Sequence, residues 1–284
     1  MRFADLHLHT HFSDGTYSPE ELVGHGVRHN LKGMALTDHD TVEGCARMAV
    51  ACAAAGIEFV PASELTAEVG ETELHILGYF LDTSHPRLLS ELAKYQLVRQ
   101  NRIREMVARL NKLGIPLQAE TVFAIANCQA PGRPHVGRAL VQAGHCKTLD
   151  ETFERFLKRG RPAWVPKAKI SARDAITLIH EAGGLAVMAH PGLNRSDDII
   201  PELVAAGMDG IECFHTKHST ATSEHYLMIA DQHHLLITGG SDCHGMNKGK
   251  PLIGGVKIPF AYLERLKARA LERRAQTQAR ATTA

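Results

Sequence analysis

The sequence predicts an α/β protein made of repeated strand–helix units, closed as a parallel sheet or a barrel, with a helical segment set into it. Short apolar runs alternate with capped amphipathic stretches at both ends of the chain. Between residues 86 and 159 strand signals are absent and helical periodicity takes over. Polar, metal-ligating side chains recur where successive strand runs end. A length of 284 residues suits one large domain or two smaller ones with a real core.

The first strand is expected over residues 3–9, followed by a helix that starts at Ser18-Pro19-Glu20-Glu21, with Ser as cap and Pro in the first turn. A second strand is expected over 33–37, an Ala-rich helix over 43–55 and a third strand over 57–61. Residues 69–80 read as a hairpin turning at Gly70-Glu71. One long helix is predicted over 86–113, stopped by Gly114 and Pro116, and shorter helices continue to about 159 with breaks at 131–134 and Gly160. Alternation resumes after Trp164-Val165-Pro166: helix 171–182, strand 185–189, helix 201–206, strand 210–214, helix 223–233, strand 235–238 and helix 262–274. Residues 276–284 read as a polar, frayed tail.

Composition narrows the classes. The 44% hydrophobic and 22% charged residues are ordinary for a globular protein. No run approaches the roughly 18 apolar residues of a membrane span, and the N-terminus has no secretory apolar stretch, so a cytoplasmic protein is expected. The six cysteines form no C-x-x-C pair and read as reduced, small apolar fillers. Charge is uneven: residues 87–169 carry a local balance of +10 inside a frame of −9. An anionic substrate would explain such a basic insert, and so would a solvated helix face.

The chain has 18 histidines, and nine side chains of ligating type, six of them His, fall at or near the strand ends. His7 and His9 alternate along a strand and so share a face, about 7 Å apart. Asp14 follows in the next loop, His39 after the second strand, Glu64 after the third and His75 in the hairpin. His190, Asp242 and His244 close the later strands. Six histidines and three carboxylates exceed what one tetrahedral ion uses and fit a trinuclear site. A thiolate-free donor set suits Mn²⁺, Fe²⁺ or Zn²⁺.

The ordered set DLHLHT (residues 5–10), Asp14, TDHD (37–40), Glu64, His75, AHP (189–191) and GSDCH (240–244) resembles the PHP (polymerase and histidinol phosphatase) family. The resemblance implies a distorted (β/α)7 barrel with three divalent metal ions at its C-terminal face, and phosphoester hydrolysis. It divides the chain into a first barrel part (1–97), an inserted substrate-capping helical domain (98–163), a second barrel part (164–275) and the tail (276–284). The insert, with Gly132-Arg133-Pro134-His135, is similar to the TrpH-like branch, whose members hydrolyse nucleoside 3',5'-bisphosphates or degrade short RNA from the 5' end. The resemblance implies one metal on His7, His9, Glu64 and Asp242, a second shared through Glu64 with His75 and His190, and a third on Asp14, His39 and His244. These nine would also be the catalytic residues, with Asp5 and Asp40 orienting imidazoles, or Asp40 simply capping a helix or turn.

Substrate contacts are expected from Arg133 and His135 at a helix start, and from Lys217 and His218 at the rim. Whether Lys158, Arg161 or Lys169 joins them is open. The expected partner is a small nucleotide or a short RNA, with no membrane and no obligate protein partner. Three other readings stand beside this one: a histidinol-phosphate phosphatase, a C–N amidohydrolase, and a nucleic-acid-binding module without turnover.

Overall fold

The computed structural model describes residues 1–70, 72–166, 170–194 and 197–282, with the side chains of 248 and 277–282 excepted. Glu71, Lys169 and the last two residues of the expected tail lie outside the described residues.

The chain opens with β1 (Phe3–Asp5), α1 (Pro19–Arg28), β2 (Leu31–Leu36), α2 (Cys45–Ala54), β3 (Glu58–Val69) and β4 (Thr72–Tyr79). A helical layer follows: α3 (Pro86–Lys112), α4 (Ala119–Ala126), α5 (Arg133–Gln142), the short α6 (Leu149–Thr152) and a π-helical turn, Phe153–Leu157. The barrel resumes with β5 (Ile170–Ser171), α7 (Ala172–Glu181), β6 (Leu185–Met188), α8 (Pro191–Asn194), α9 (Ile200–Ala205) and β7 (Gly210–His215). It ends with α10 (Thr220–Gln232), β8 (Leu236–Gly240), β9 (Ile258–Pro259) and α11 (Phe260–Thr282).

The strand order is β8-β7-β6-β4-β3-β2-β1-β9. The path nearly closes, because Leu6 N donates to Gly239 O (3.1 Å) and Leu8 bridges Cys243 in parallel. This is the expected distorted (β/α)7 barrel. Its distortions are β4, antiparallel to both β3 and β6, and the two-residue β9, antiparallel to the start of β1. Closure needs a glycine at position 240, where a Cβ would meet the His7 Cβ at 2.4 Å.

Ala4, Leu6, Val60, Ala62, Leu77, Tyr79, Leu185 and Val187 fill the barrel together with Phe260, Leu263 and Leu266 of α11. The helical layer has a core of its own, built on Ile103, Met106, Leu110, Val136, Leu140 and Leu157. Sequence-coded caps set the helix starts. Ser18 accepts from Glu21 N (3.2 Å) while Glu21 accepts from Ser18 N (2.8 Å), and Ser171 accepts from Asp174 N.

Several expected boundaries shift. The first strand is regular only to Asp5, whose carboxylate accepts from His7 N and Ser241 N and so diverts the ladder. The expected third strand and the first hairpin arm are one strand, because Pro61 is accommodated opposite Leu36 and no breaker intervenes before Gly70. Glu64 therefore sits in mid-strand. Helix α2 starts at Cys45 rather than residue 43, with Gly44 as its cap. Helix α10 starts at Thr220 rather than 223, because Ser219 accepts from Thr222 N (3.1 Å). Helix α11 continues to Thr282 in place of a frayed tail; its Ala-, Arg- and Gln-rich sequence favours helix and contains no Gly or Pro. Among the described residues, no helix is long and apolar enough to cross a membrane.

A candidate metal centre at the strand ends

The nine ligating side chains expected from the sequence meet at one end of the barrel. His7 and His9 are fully buried and Glu64 is 1% exposed. Glu64 Oε2 lies 3.3 Å from both His7 Nε2 and His9 Nε2, and Asp242 Oδ1 lies 3.5 and 3.3 Å from the same two atoms. A tetrahedral ion with bonds of about 2.0–2.1 Å would separate its donors by ~3.3 Å. The other oxygen, Glu64 Oε1, takes His75 Nδ1 at 2.6 Å and His190 Nε2 at 3.1 Å. That contact follows from register: Thr66 faces His75 across β3–β4, which makes Glu64 and His75 diagonal neighbours on one face.

Asp14 Oδ1 is 3.1 Å from His244 Nε2 and 3.9 Å from His39 Nε2, while His39 Nδ1 reaches back to Glu64 Oε2 at 3.1 Å. Four groups could each hold an ion: His7, His9 and Asp242; His7, Glu64 and His190; His39, Glu64 and His75; and His9, Asp14, His39 and His244. The donor chemistry fits divalent cations. Buried His7 Nε2, His9 Nε2, His39 Nδ1, Glu64 Oε2 and Asp14 Oδ1 have no hydrogen-bond partner, a costly arrangement unless something else satisfies them. Asp242 and His190 occupy left-handed backbone conformations (φ +53° and +30°), local strain that turns the side chains inward.

The electrostatics are tightly coupled. Burial alone would raise the carboxyls of Glu64, Asp14 and Asp242, but the surrounding imidazoles hold all three well below the usual carboxylate range. Burial lowers His39 well below the ordinary imidazole value despite Glu64 and Asp14. For His244 burial acts the same way, yet Asp14 and Asp242 overcome it and push the ring up to about 10.

Several supporting residues had not been singled out from the sequence. Glu212, inside β7, accepts from His7 Nδ1 at 3.0 and 3.2 Å and from His190 N at 2.8 Å. Its signal was a lone carboxylate in an otherwise apolar strand. His215 ends β7 and lies 3.3 Å from Asp242 Oδ2; the strand-end rule that marked the nine candidate ligands would have marked it too. Asp38 accepts from Thr10 N, Thr10 Oγ1 and Ser13 Oγ, which fixes the loop leading to Asp14.

Two expected roles are corrected. Asp5 Oδ1 holds the backbone N–H groups of His7 and Ser241, and Asp40 takes Arg99 Nε (2.6 Å) and Thr66 N. The carboxylate that orients the His7 ring is Glu212.

The four expected substrate residues are differently placed. Arg133 begins α5 beside Phe153, near enough to Asp14, Glu73 and Arg99 to feel their charges. His135 is buried and accepts from Gly132 N (2.9 Å), as a cap of that helix. His218 donates through Nδ1 to Cys213 O and accepts from Gly192 N at Nε2, so backbone groups engage both ring nitrogens. Lys217 lines a neighbouring cleft of about 620 Å³ with Gly192, Asp197 and Tyr226.

Residues 5–103 match the family model of the PHP domain. The chain is 35% identical over 247 residues to the 5'-3' exoribonuclease Rnm of Salmonella typhimurium, covering 84% of each protein. It is 34% identical over 262 residues to the 3',5'-nucleoside bisphosphate phosphatase of Chromobacterium violaceum, covering 89% of this chain and 91% of that one. Among solved structures it resembles a candidate metal-dependent phosphoesterase of Bifidobacterium adolescentis, with a TM-score of 0.87 and 32% identity over 94% of this chain and 96% of that one.

Proposed function

The chain belongs to the PHP family of phosphoesterases, and on that premise we propose that it removes the 3'-phosphate of nucleoside 3',5'-bisphosphates, converting adenosine 3',5'-bisphosphate to AMP and phosphate. In this reading the cofactors are three divalent cations, Mn²⁺ ahead of Fe²⁺ or Zn²⁺. His7, His9, Glu64 and Asp242 would hold the first, Glu64, His75 and His190 the second, and Asp14, His39 and His244 the third. Bound cations would supply Lewis-acid polarisation of phosphoryl oxygens and lower the pKa of water toward ~7.

The observation that carries the choice of substrate is a crowd of arginines from the helical layer beside Asp14. Arg99 is buried and fixed through Nε to Asp40, and a Cβ on Gly132 would lie 3.7 Å from its Nη1 and 3.6 Å from Asp14 Oδ2. Arg102 anchors Nε on Val165 O (2.9 Å); burial, with repulsion from Arg133 and Arg99, pushes its guanidinium down to about 9. A second phosphate would relieve that crowding, and planar guanidinium groups match its oxygens in pairs. Residues 98–163 then act as the substrate cap, Arg133 joins Arg99 and Arg102 in the grip, and His135 shapes the turn that presents Arg133.

The chain's residues have separable tasks in this scheme. With Nδ1–H committed to Glu212, His7 keeps Nε2 for the cluster. Arg99 holds the substrate in line, and the buried end of the barrel excludes bulk water.

Phosphate release from adenosine 3',5'-bisphosphate should be compared with release from 3'-AMP. A charge-assisted contact contributes about 1.5–3 kcal/mol, so kcat/KM should favour the bisphosphate by ~10- to 150-fold. Equal efficiency removes the arginine grip. The similarity to an exoribonuclease supports a second reading, in which the same grip takes the 5' end of a short RNA. A steep fall of RNA affinity with salt would favour it.

A further inference from the structure

The candidate ligands are not anchored alike. Eight of the nine, His7, His9, His39, Glu64, His75, His190, Asp242 and His244, lie on barrel strands or within four residues of one. Asp14 lies in the loop between β1 and α1, and its carbonyl is gripped both by the helical layer and by the turn that follows β8. Arg138 Nη2, from α5, donates to Asp14 O at 2.8 Å, and Asn247 Nδ2 donates to the same oxygen at 2.7 Å. Arg138 also donates to Asn247 Oδ1, which closes a triangle between the helical layer, the Asp14 loop and the turn after His244. Just before α5, Cys128 Sγ donates to Ser13 O (3.2 Å). Asp40, next to His39, is held by Arg99 of α3.

We infer that the helical layer completes the third cation site: Arg138 and Asn247 are positioning residues that hold Asp14 against His39 and His244. This rests on the metal-dependent reading above and adds that one ion is coupled to the docking of α3–α5, whereas the other two depend on the barrel alone. Coupling is reciprocal, so the ion that needs the docked layer also stabilises its docking. A phosphate gripped by the same layer should tighten that ion in turn.

The test is metal stoichiometry, measured by equilibrium dialysis of the full chain against graded Mn²⁺ followed by elemental analysis. Arg138→Ala and, separately, Asn247→Ala should bind one ion of the three about 10–100-fold more weakly, as partners of metal ligands commonly do, and leave the other two unchanged. Arg138→Lys should recover part of the loss. Arg104→Ala, an exposed arginine on α3, should bind as the parent does. In the parent, addition of the last ion should slow amide hydrogen exchange across 127–142.

Three ions bound by Arg138→Ala with parental affinity would overturn the inference, as would equal weakening of all three. Unchanged exchange over 127–142 in the parent would do the same. A parent chain that holds fewer than three ions would instead remove the underlying trinuclear reading, and this inference with it.

Discussion

Replacing Glu212 by Gln probes the buried end of the metal centre without touching a ligand. Glu212 is fully buried, and its carboxylate meets His7 Nδ1 through both oxygens and the His190 N–H through one. Burial alone would raise its pKa, but His7, His215 and His190 hold it low, so the group carries a full charge. Gln keeps the shape and one acceptor but loses that charge, and its amide nitrogen must point at one of the two donors. The expected result is a 10–100-fold loss of metal affinity, about 1.4–2.7 kcal/mol, for an ion that uses His7. Titration with Mn²⁺, read by elemental analysis and by phosphate release, should show activity returning at high metal concentration. Unchanged affinity, or lost activity that no amount of metal restores, would refute the role given to Glu212.

Two further outcomes follow from buried charge. His135 accepts a backbone N–H at Nδ1, and burial lowers the ring to about 4. Below pH 6.5 the unfolded chain takes up a proton that the folded one refuses, so stability is lost as pH falls from 6.5 toward 4, by about 3 kcal/mol in all. His135→Asn should flatten that part of the profile in urea titrations; an identical profile would show that other groups govern it. Arg99→Met should cost about 3–5 kcal/mol, because it leaves Asp40 charged in a buried site. A change in melting temperature under 2 °C would contradict that.

The candidate ligands were legible because strand ends in βα proteins converge. Alternation marked His7 and His9, and the breaks after apolar runs marked His39, His190, Asp242 and His244. Glu64 was found for the wrong local reason. Pro61 was read as ending the strand, yet the ladder runs through it, and Glu64 faces inward from mid-strand. Glu212 was hidden by the same habit, since a residue inside an apolar strand reads as core. The helix expected from 223 begins at Thr220, because Ser219 is the residue whose side chain accepts a first-turn N–H. The arginines were visible as a basic segment, but one-dimensional charge says nothing of which guanidinium turns toward Asp14.

The seam between β1 and β8 also bears on biogenesis. Asp5 and Ser241, 236 residues apart, are joined directly across it, and His7 and His9 meet Asp242 only there. Synthesis must pass residue 242 before the two flanks can dock, so a chain terminated upstream of that point would lack the assembled site. An ion seated at this junction would also act as a clasp on a very long loop, restricting the unfolded chain as a cross-link does.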